Sequence, residues 1–185
     1  IAGVTPTEYR NKVKWTHIRV KIKYINKNNK ELIVVYYSRD FYIKKYAYKY
    51  ANLHKCSIYE IKTKEDLFTN KGLVKLYINT LCGKKLDVEE SEIDFRQYKK
   101  VYLITGVIFK NIAAPVLDFC EKNSGKINSI EYDFVHYTPV VHQYSIEKLD
   151  EILQIKHEDA KATCMHFGKV INFKSIIVNK KKEEK

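Results

Sequence analysis

Polar and apolar positions along the chain fall into two alternating kinds of segment. Residues 32–37 (Leu-Ile-Val-Val-Tyr-Tyr) form a continuous apolar, β-branched and aromatic run, the pattern of a strand covered on both faces. Residues 41–54 place Ile43, Tyr46, Ala47, Tyr50 and Ala51 at i, i+3, i+4, i+7 and i+8, which predicts a helix. Residues 56–62 alternate as a short strand. Residues 67–81 have helical character and stop before Gly83. Residues 100–105 predict another buried strand, 106–114 a loop, and Pro115 the opening of a helix carrying Val116, Leu117, Phe119 and Cys120. A longer strand is expected over 127–136, then a loop over 137–143. Ser145 is expected to cap a helix bearing Ile146, Leu149, Ile152 and Leu153, and a last strand lies within 162–173. Strands alternating with helices predict a parallel sheet of five strands with helices on both faces, an α/β three-layer sandwich.

The first thirty residues do not share this pattern. Thr5-Pro6 followed by Glu8 reads as a helix start, and alternation through Ile18, Val20, Ile22 and Tyr24 then predicts an extended arm. The organisation expected is a short basic segment (1–30), one α/β domain (31–179) and a basic tail (180–185). Charge follows the same division. The net charge is +12, and residues 1–30 hold eight Lys/Arg against one Glu. The tail holds four Lys against two Glu, which leaves only +3 on the middle. Basicity therefore belongs to the ends, and the middle is an ordinary globular surface.

Apolar runs are too short to span a bilayer and no leader pattern opens the chain, so a cytoplasmic protein without membrane partners is expected. Cys56, Cys82, Cys120 and Cys164 lie far apart in sequence, a spacing that favours reduced, mostly buried thiols over a zinc site or dithiol. No nucleophile elbow or phosphate-binding glycine motif occurs. The tyrosines crowded between Tyr36 and Tyr50 fall mostly on core-facing positions and are read as packing.

In parallel sheets ligands bind beyond the C-terminal strand ends, at the switch point of strand order. The relevant loops are 38–44, 106–111 and 136–140. Here the chain resembles flavodoxins. Val34-Val35-Tyr36-Tyr37-Ser38, leading into Lys44-Lys45-Tyr46-Ala47, is similar to their opening strand, phosphate loop and first helix. The stretch Gln97 through Leu103, then Gly106-Val107-Ile108-Phe109, then Ala114 through Phe119, resembles their middle strand, flavin loop and third helix. Gly125-Lys126 and the strand ending at His136-Tyr137-Thr138 fit the next element. The resemblance covers residues 31–174 and implies a flavodoxin-like fold with FMN as cofactor.

The resemblance would place the cofactor on Ser38, Arg39, Asp40, Phe41, Tyr42, Ile43 and Lys44, on Gly106, Val107, Ile108, Phe109, Lys110 and Asn111, and on His136, Tyr137 and Thr138. Flavodoxins read Ser-x-Thr-Gly-Asn-Thr after the first strand, whereas this chain reads Ser38-Arg39-Asp40-Phe41-Tyr42-Ile43. Asp40 brings a negative charge where a phosphate dianion belongs, and only Arg39 and Lys44 offset it. Phe109 either stacks on a flavin ring or packs under its loop. FMN binding is therefore expected to be weakened or lost.

A second resemblance lies at the start. Gly3-Val4-Thr5-Pro6-Thr7-Glu8-Tyr9-Arg10 is similar to the end of AraC/XylS-type helix-turn-helix domains, with the alternative that it is a chance helix start. It implies a bacterial transcriptional regulator that meets DNA through a helix-turn-helix upstream of Ile1. The flavodoxin-like domain would then serve as its ligand-sensing or assembly module, a homodimer being compatible. The alternative is an FMN-binding, flavodoxin-type electron-transfer protein, and a third reading is a structural module that has lost its ligand.

Overall fold

The six-residue apolar run becomes β1 (Leu32–Tyr37), the strand that β2 (Ser57–Glu60) and β3 (Lys100–Ile108) sandwich in parallel register. Every β1 residue from Ile33 to Tyr37 is buried, as a strand covered on both faces requires. These details come from a computed structural model, which describes residues 29–39, 41–108, 110–138, 140–171 and 175–178. The expected N-terminal helix and basic arm, Asp40, Phe109, Phe173 and the tail from Lys180 lie outside the described residues.

The parallel strands run in the order β2-β1-β3-β5-β7, with β5 at Ile130–His136 and β7 at Asp159–His166. The sheet has seven strands rather than the expected five. β4 (Asn111–Ile112) folds back antiparallel on β3, and β8 (Lys169–Val170) folds back on β7. Residues 106–114 are thus mostly a hairpin, not an open loop. Within the expected loop 137–143, β6 (Val140–His142) pairs in parallel with β9 (Ile176–Val178) as a small second sheet.

Each side of the main sheet carries helices. α1 (Phe41–Leu53) buries Ile43, Ala47 and Ala51 against Val34, Tyr36, Tyr102 and Ile104. The two alanines let the helix axis approach closely. On the other face, α3 (Ala114–Lys122) and α4 (Gln143–Leu153) cover Ile33, Val35, Leu103, Tyr132 and Phe134. Burial of such side chains contributes roughly 1.5–3 kcal/mol each, so this face holds most of the apolar core. α2 (Asn70–Leu81) packs beside α3 and β4. Thr69 caps it by accepting a hydrogen bond from the Gly72 N–H at 3.0 Å. Gly72 has no alternative, because a Cβ there would lie 2.7 Å from the Leu67 Cα. The α1 face is more polar than the α3–α4 face. Asp133 is fully buried on β5, and its Oδ2 accepts from Tyr46 and Tyr102 hydroxyls, each at 2.7 Å. Lys161 Nζ stands 3.5 Å from the same oxygen, which keeps the buried carboxylate paired.

Three boundaries differ from expectation for local reasons. Ser145 does not cap α4, which begins at Gln143 without a side-chain cap; its hydroxyl donates to the Lys110 carbonyl at 3.1 Å instead. The fourth parallel strand begins at Ile130, not 127, because residues 123–126 form a turn with Gly125 at φ +70°. The last parallel strand begins at Asp159, before the expected 162. Cys56, Cys120 and Cys164 are buried and Cys82 is exposed. Among the described residues no helix is long and apolar enough to cross a membrane.

Candidate functional site

The switch point of this sheet lies between β1 and β3, where chain order reverses, and a cavity of about 230 Å³ opens beside it at the C-terminal strand ends. Each parallel strand except β2 sends residues to its wall. Tyr37 and Arg39 come from the end of β1, Tyr42 and Ile43 from the first turn of α1, and Gly106, Val107 and Ile108 from the end of β3. Val135, His136 and Tyr137 close it from β5, while Met165, Phe167 and Gly168 close it from the β7–β8 hairpin. Leu76 and Tyr77 of α2 and Ala113 before α3 complete the wall.

Aromatic rings dominate the mouth. Five aromatic side chains are exposed among the described residues, and four of them, Tyr42, Tyr77, Tyr137 and Phe167, border this one cavity. Tyr137 is 67% and Phe167 82% exposed, an arrangement that leaves large apolar area in water unless something covers it. The fifth, Phe68, lines the adjoining recess between Ser38, Arg39 and the end of β2.

Tight local geometry positions these rings. Phe167 and Gly168 are the two central residues of the β7–β8 turn, with φ of +49° and +79°. Gly168 rests on the Tyr42 ring, where an added Cβ would lie 2.8 Å from Cε1 and closer still to Cδ1. Gly106 likewise faces Ile43, whose Cδ1 would be 3.1 Å from a Cβ at that position. The Tyr137 carbonyl accepts from His166 Nε2 at 2.6 Å and from the Cys164 thiol at 3.2 Å, tying β5 to β7 beneath the cavity. Thr138 braces His136 through its N–H at 3.2 Å and its hydroxyl at 2.8 Å, both to Nδ1. Partial burial lowers the His136 pKa, so the ring is neutral at pH 7. Burial pushes the Tyr37 hydroxyl up to about 12, partly offset by the nearby Arg39 charge.

Of the sixteen residues expected at the site, Arg39, Tyr42, Ile43, Gly106, Val107, Ile108, His136 and Tyr137 meet at the cavity. Ser38 is buried beside it, in the adjoining recess. Lys44 does not face the cavity but donates to Glu60 at 2.9 Å, one strand over. Phe41 is half-buried at the start of α1 and stays outside the lining. Lys110 and Asn111 build the β3–β4 turn, where the Tyr144 hydroxyl donates to the Lys110 carbonyl at 2.8 Å. Thr138 acts on the cavity only through His136. Asp40 and Phe109 lie outside the described residues. Sequence reading missed Tyr37, Leu76, Tyr77, Ala113, Val135, Met165, Phe167 and Gly168. The Phe-Gly pair between two alternating segments was a usable hairpin signal, and Tyr77 sits on a helix surface that amphipathic patterning treats as solvated.

No family model matches the chain, and no curated protein matches it. Solved structures do. A flavoprotein in complex with FMN from Lactobacillus acidophilus aligns with a TM-score of 0.60 at 16% identity, covering 72% of this chain and 93% of that one. The apo-form of the Lactobacillus acidophilus flavoprotein aligns at 0.57 and 16% identity over 71% and 91% of the two chains. A Bacteroides eggerthii protein provisionally described as a flavoprotein gives 0.60 at 12% identity over 76% and 92%. At these identities the likeness concerns architecture, and it shows that the described domain has a flavodoxin-like α/β fold.

Proposed function

We propose that this domain binds a flavin at the C-terminal edge of its sheet and serves as a flavodoxin-type electron-transfer protein. The observation that carries the reading is the gathering of four of the five exposed aromatic side chains around one cavity at the switch point. A planar heterocycle seated there would cover apolar rings that otherwise face water, and ring–ring contacts add to that burial by about 0.5–1.5 kcal/mol each. The isoalloxazine ring of a flavin has the required flat aromatic face, and when bound it supplies reversible one- and two-electron chemistry. The protein's own part is to hold and shield the ring. Tyr42 and Phe167 supply faces, Val107 and Ile108 exclude water, and the neutral His136 offers a hydrogen-bonding nitrogen at the wall.

The fold likeness to an FMN-bound flavoprotein supports this reading over the regulator one. The helix-turn-helix resemblance rests on Gly3 through Arg10, which lie outside the described residues, and no comparison supports it.

Titrating riboflavin with the protein while following flavin fluorescence tests the proposal. Saturable one-to-one binding that Tyr42→Ala weakens tenfold or more is expected. Absence of saturation with riboflavin and with FMN alike would contradict it.

A further inference from the structure

We infer that the site recognises the flavin by its ring and gains nothing from the terminal phosphate, so that riboflavin binds as tightly as FMN. This rests on the flavin reading above and adds a ligand class to it.

A phosphate dianion at a helix N-terminus is held by converging backbone N–H groups, hydroxyls and cationic side chains. Two cations flank the start of α1, Arg39 before it and Lys44 within it, and each has a partner in the scaffold. Lys44 Nζ is engaged by Glu60 at 2.9 Å. Arg39 lines the cavity, and its Nε donates to the Leu67 carbonyl at 3.3 Å, which commits one of its N–H groups to the segment before α2. The hydroxyls nearby are that of Ser38, buried beside the cavity, and those of the tyrosines in its wall. Ile43, where flavodoxins carry a threonine, is buried in the α1 face of the core and stacked against Gly106. Phe41 stands where the flavodoxin motif has glycine, so the loop lacks the residue that allows the closest backbone approach. The sequence adds Asp40, an anion between Arg39 and Phe41.

The rest of the wall gives no substitute. Arg39 is the one charged residue lining the cavity among the described residues, and the rest of the lining is four tyrosines, Phe167, apolar side chains, two glycines and the neutral His136. The ring side of the site is built and the phosphate side is not. Binding energy then comes from stacking and apolar burial, which salt does not screen.

The experiment compares dissociation constants of the full chain for riboflavin and FMN, at low salt and at about 0.5 M salt. The expected result is two constants within about threefold of each other, neither moving more than about twofold with salt, since no charge-assisted bond distinguishes the ligands. FMN binding tenfold or more tighter than riboflavin, with that advantage lost in high salt, overturns the inference and leaves the flavin reading intact. Binding of neither flavin removes the flavin reading, and this inference with it.

Discussion

The two sides of the cavity are built from different materials. On the β5–β7 side, backbone geometry is tightly determined. The β7–β8 turn needs two residues at positive φ, Gly168 leaves no room for a Cβ over Tyr42, and the Tyr137 carbonyl receives two donors from β7. On the β1–α1 side, the residues at the helix start are tied to the scaffold, although Arg39 also lines the cavity. Lys44 holds Glu60, Arg39 meets Leu67, and Ile43 belongs to the core. A ligand at this cavity would therefore meet a side fixed by shape and a side where charge is sparse. Shape is carried by strands and a turn whose packing the whole sheet enforces. Charge is carried by a few side chains at a helix start that substitutions can change without disturbing the core.

The strongest way to break this contrast is to damage the rigid side. Gly168→Ala places a Cβ against Tyr42 and a non-glycine residue at φ +79°. The backbone alone costs about 1–2 kcal/mol. Riboflavin affinity should fall tenfold or more, with a lowered melting temperature, as titration and thermal unfolding would measure. Unchanged affinity would mean that the hairpin is not part of the site. The complementary test builds the missing side. Asp40→Thr combined with Phe41→Gly removes an anion and opens the helix start, and FMN should then gain about tenfold over riboflavin, the worth of one charge-assisted hydrogen bond. No gain would place the phosphate elsewhere.

A smaller effect is expected from pH. The folded-state pKa of His136 lies below its ordinary value because the ring is partly buried. In the window between those two values the unfolded chain binds the proton and the folded chain does not, so stability rises with pH there. The contribution is present above the ordinary imidazole range and is lost as pH falls through it. Protonation would also put an N–H at Nδ1 against the Thr138 N–H. Riboflavin affinity should therefore decline a few-fold from about pH 7.5 to about pH 5, and His136→Gln should flatten that decline. The smallest effect is expected at Lys44. Its ion pair with Glu60 is partly exposed and worth about 0–1 kcal/mol to stability. Lys44→Ala should change FMN affinity less than twofold; a loss of tenfold or more would return Lys44 to a phosphate site.

Elements with dense local signals were legible in the sequence. β1 is a run of β-branched and aromatic residues because both its faces are covered, and α1 shows its buried stripe at Ile43, Ala47 and Ala51. The loops around the cavity could be named because their positions follow from the order of strands. Elements that depend on distant partners were not legible. β9 is three residues long and acquires meaning only beside β6, more than thirty residues earlier in the chain. β4 turns at Lys110, a non-glycine residue at φ +76°, so no glycine marks the hairpin. Ser145 looked like a cap, yet the Lys110 carbonyl that it serves arrives from another hairpin. At the site, the loop over 38–44 was readable residue by residue. The aromatic wall was not, because Tyr77 and Phe167 come from a helix surface and a turn that only the folded sheet brings to Tyr42.

A flavin at the C-terminal edge would lie against the β7–β8 turn and the end of β3. The chain has six glycines, so protein labelled with ¹⁵N only at glycine gives a sparse amide spectrum in which this can be read directly. Gly106 and Gly168 line the cavity, whereas Gly125 lies in the turn before β5, at the opposite edge of the sheet. Riboflavin added to saturation should shift the Gly106 and Gly168 signals and leave Gly125 in place. Unmoved Gly106 and Gly168 signals under saturating riboflavin, or a shift confined to Gly125, would contradict a flavin seated at this edge.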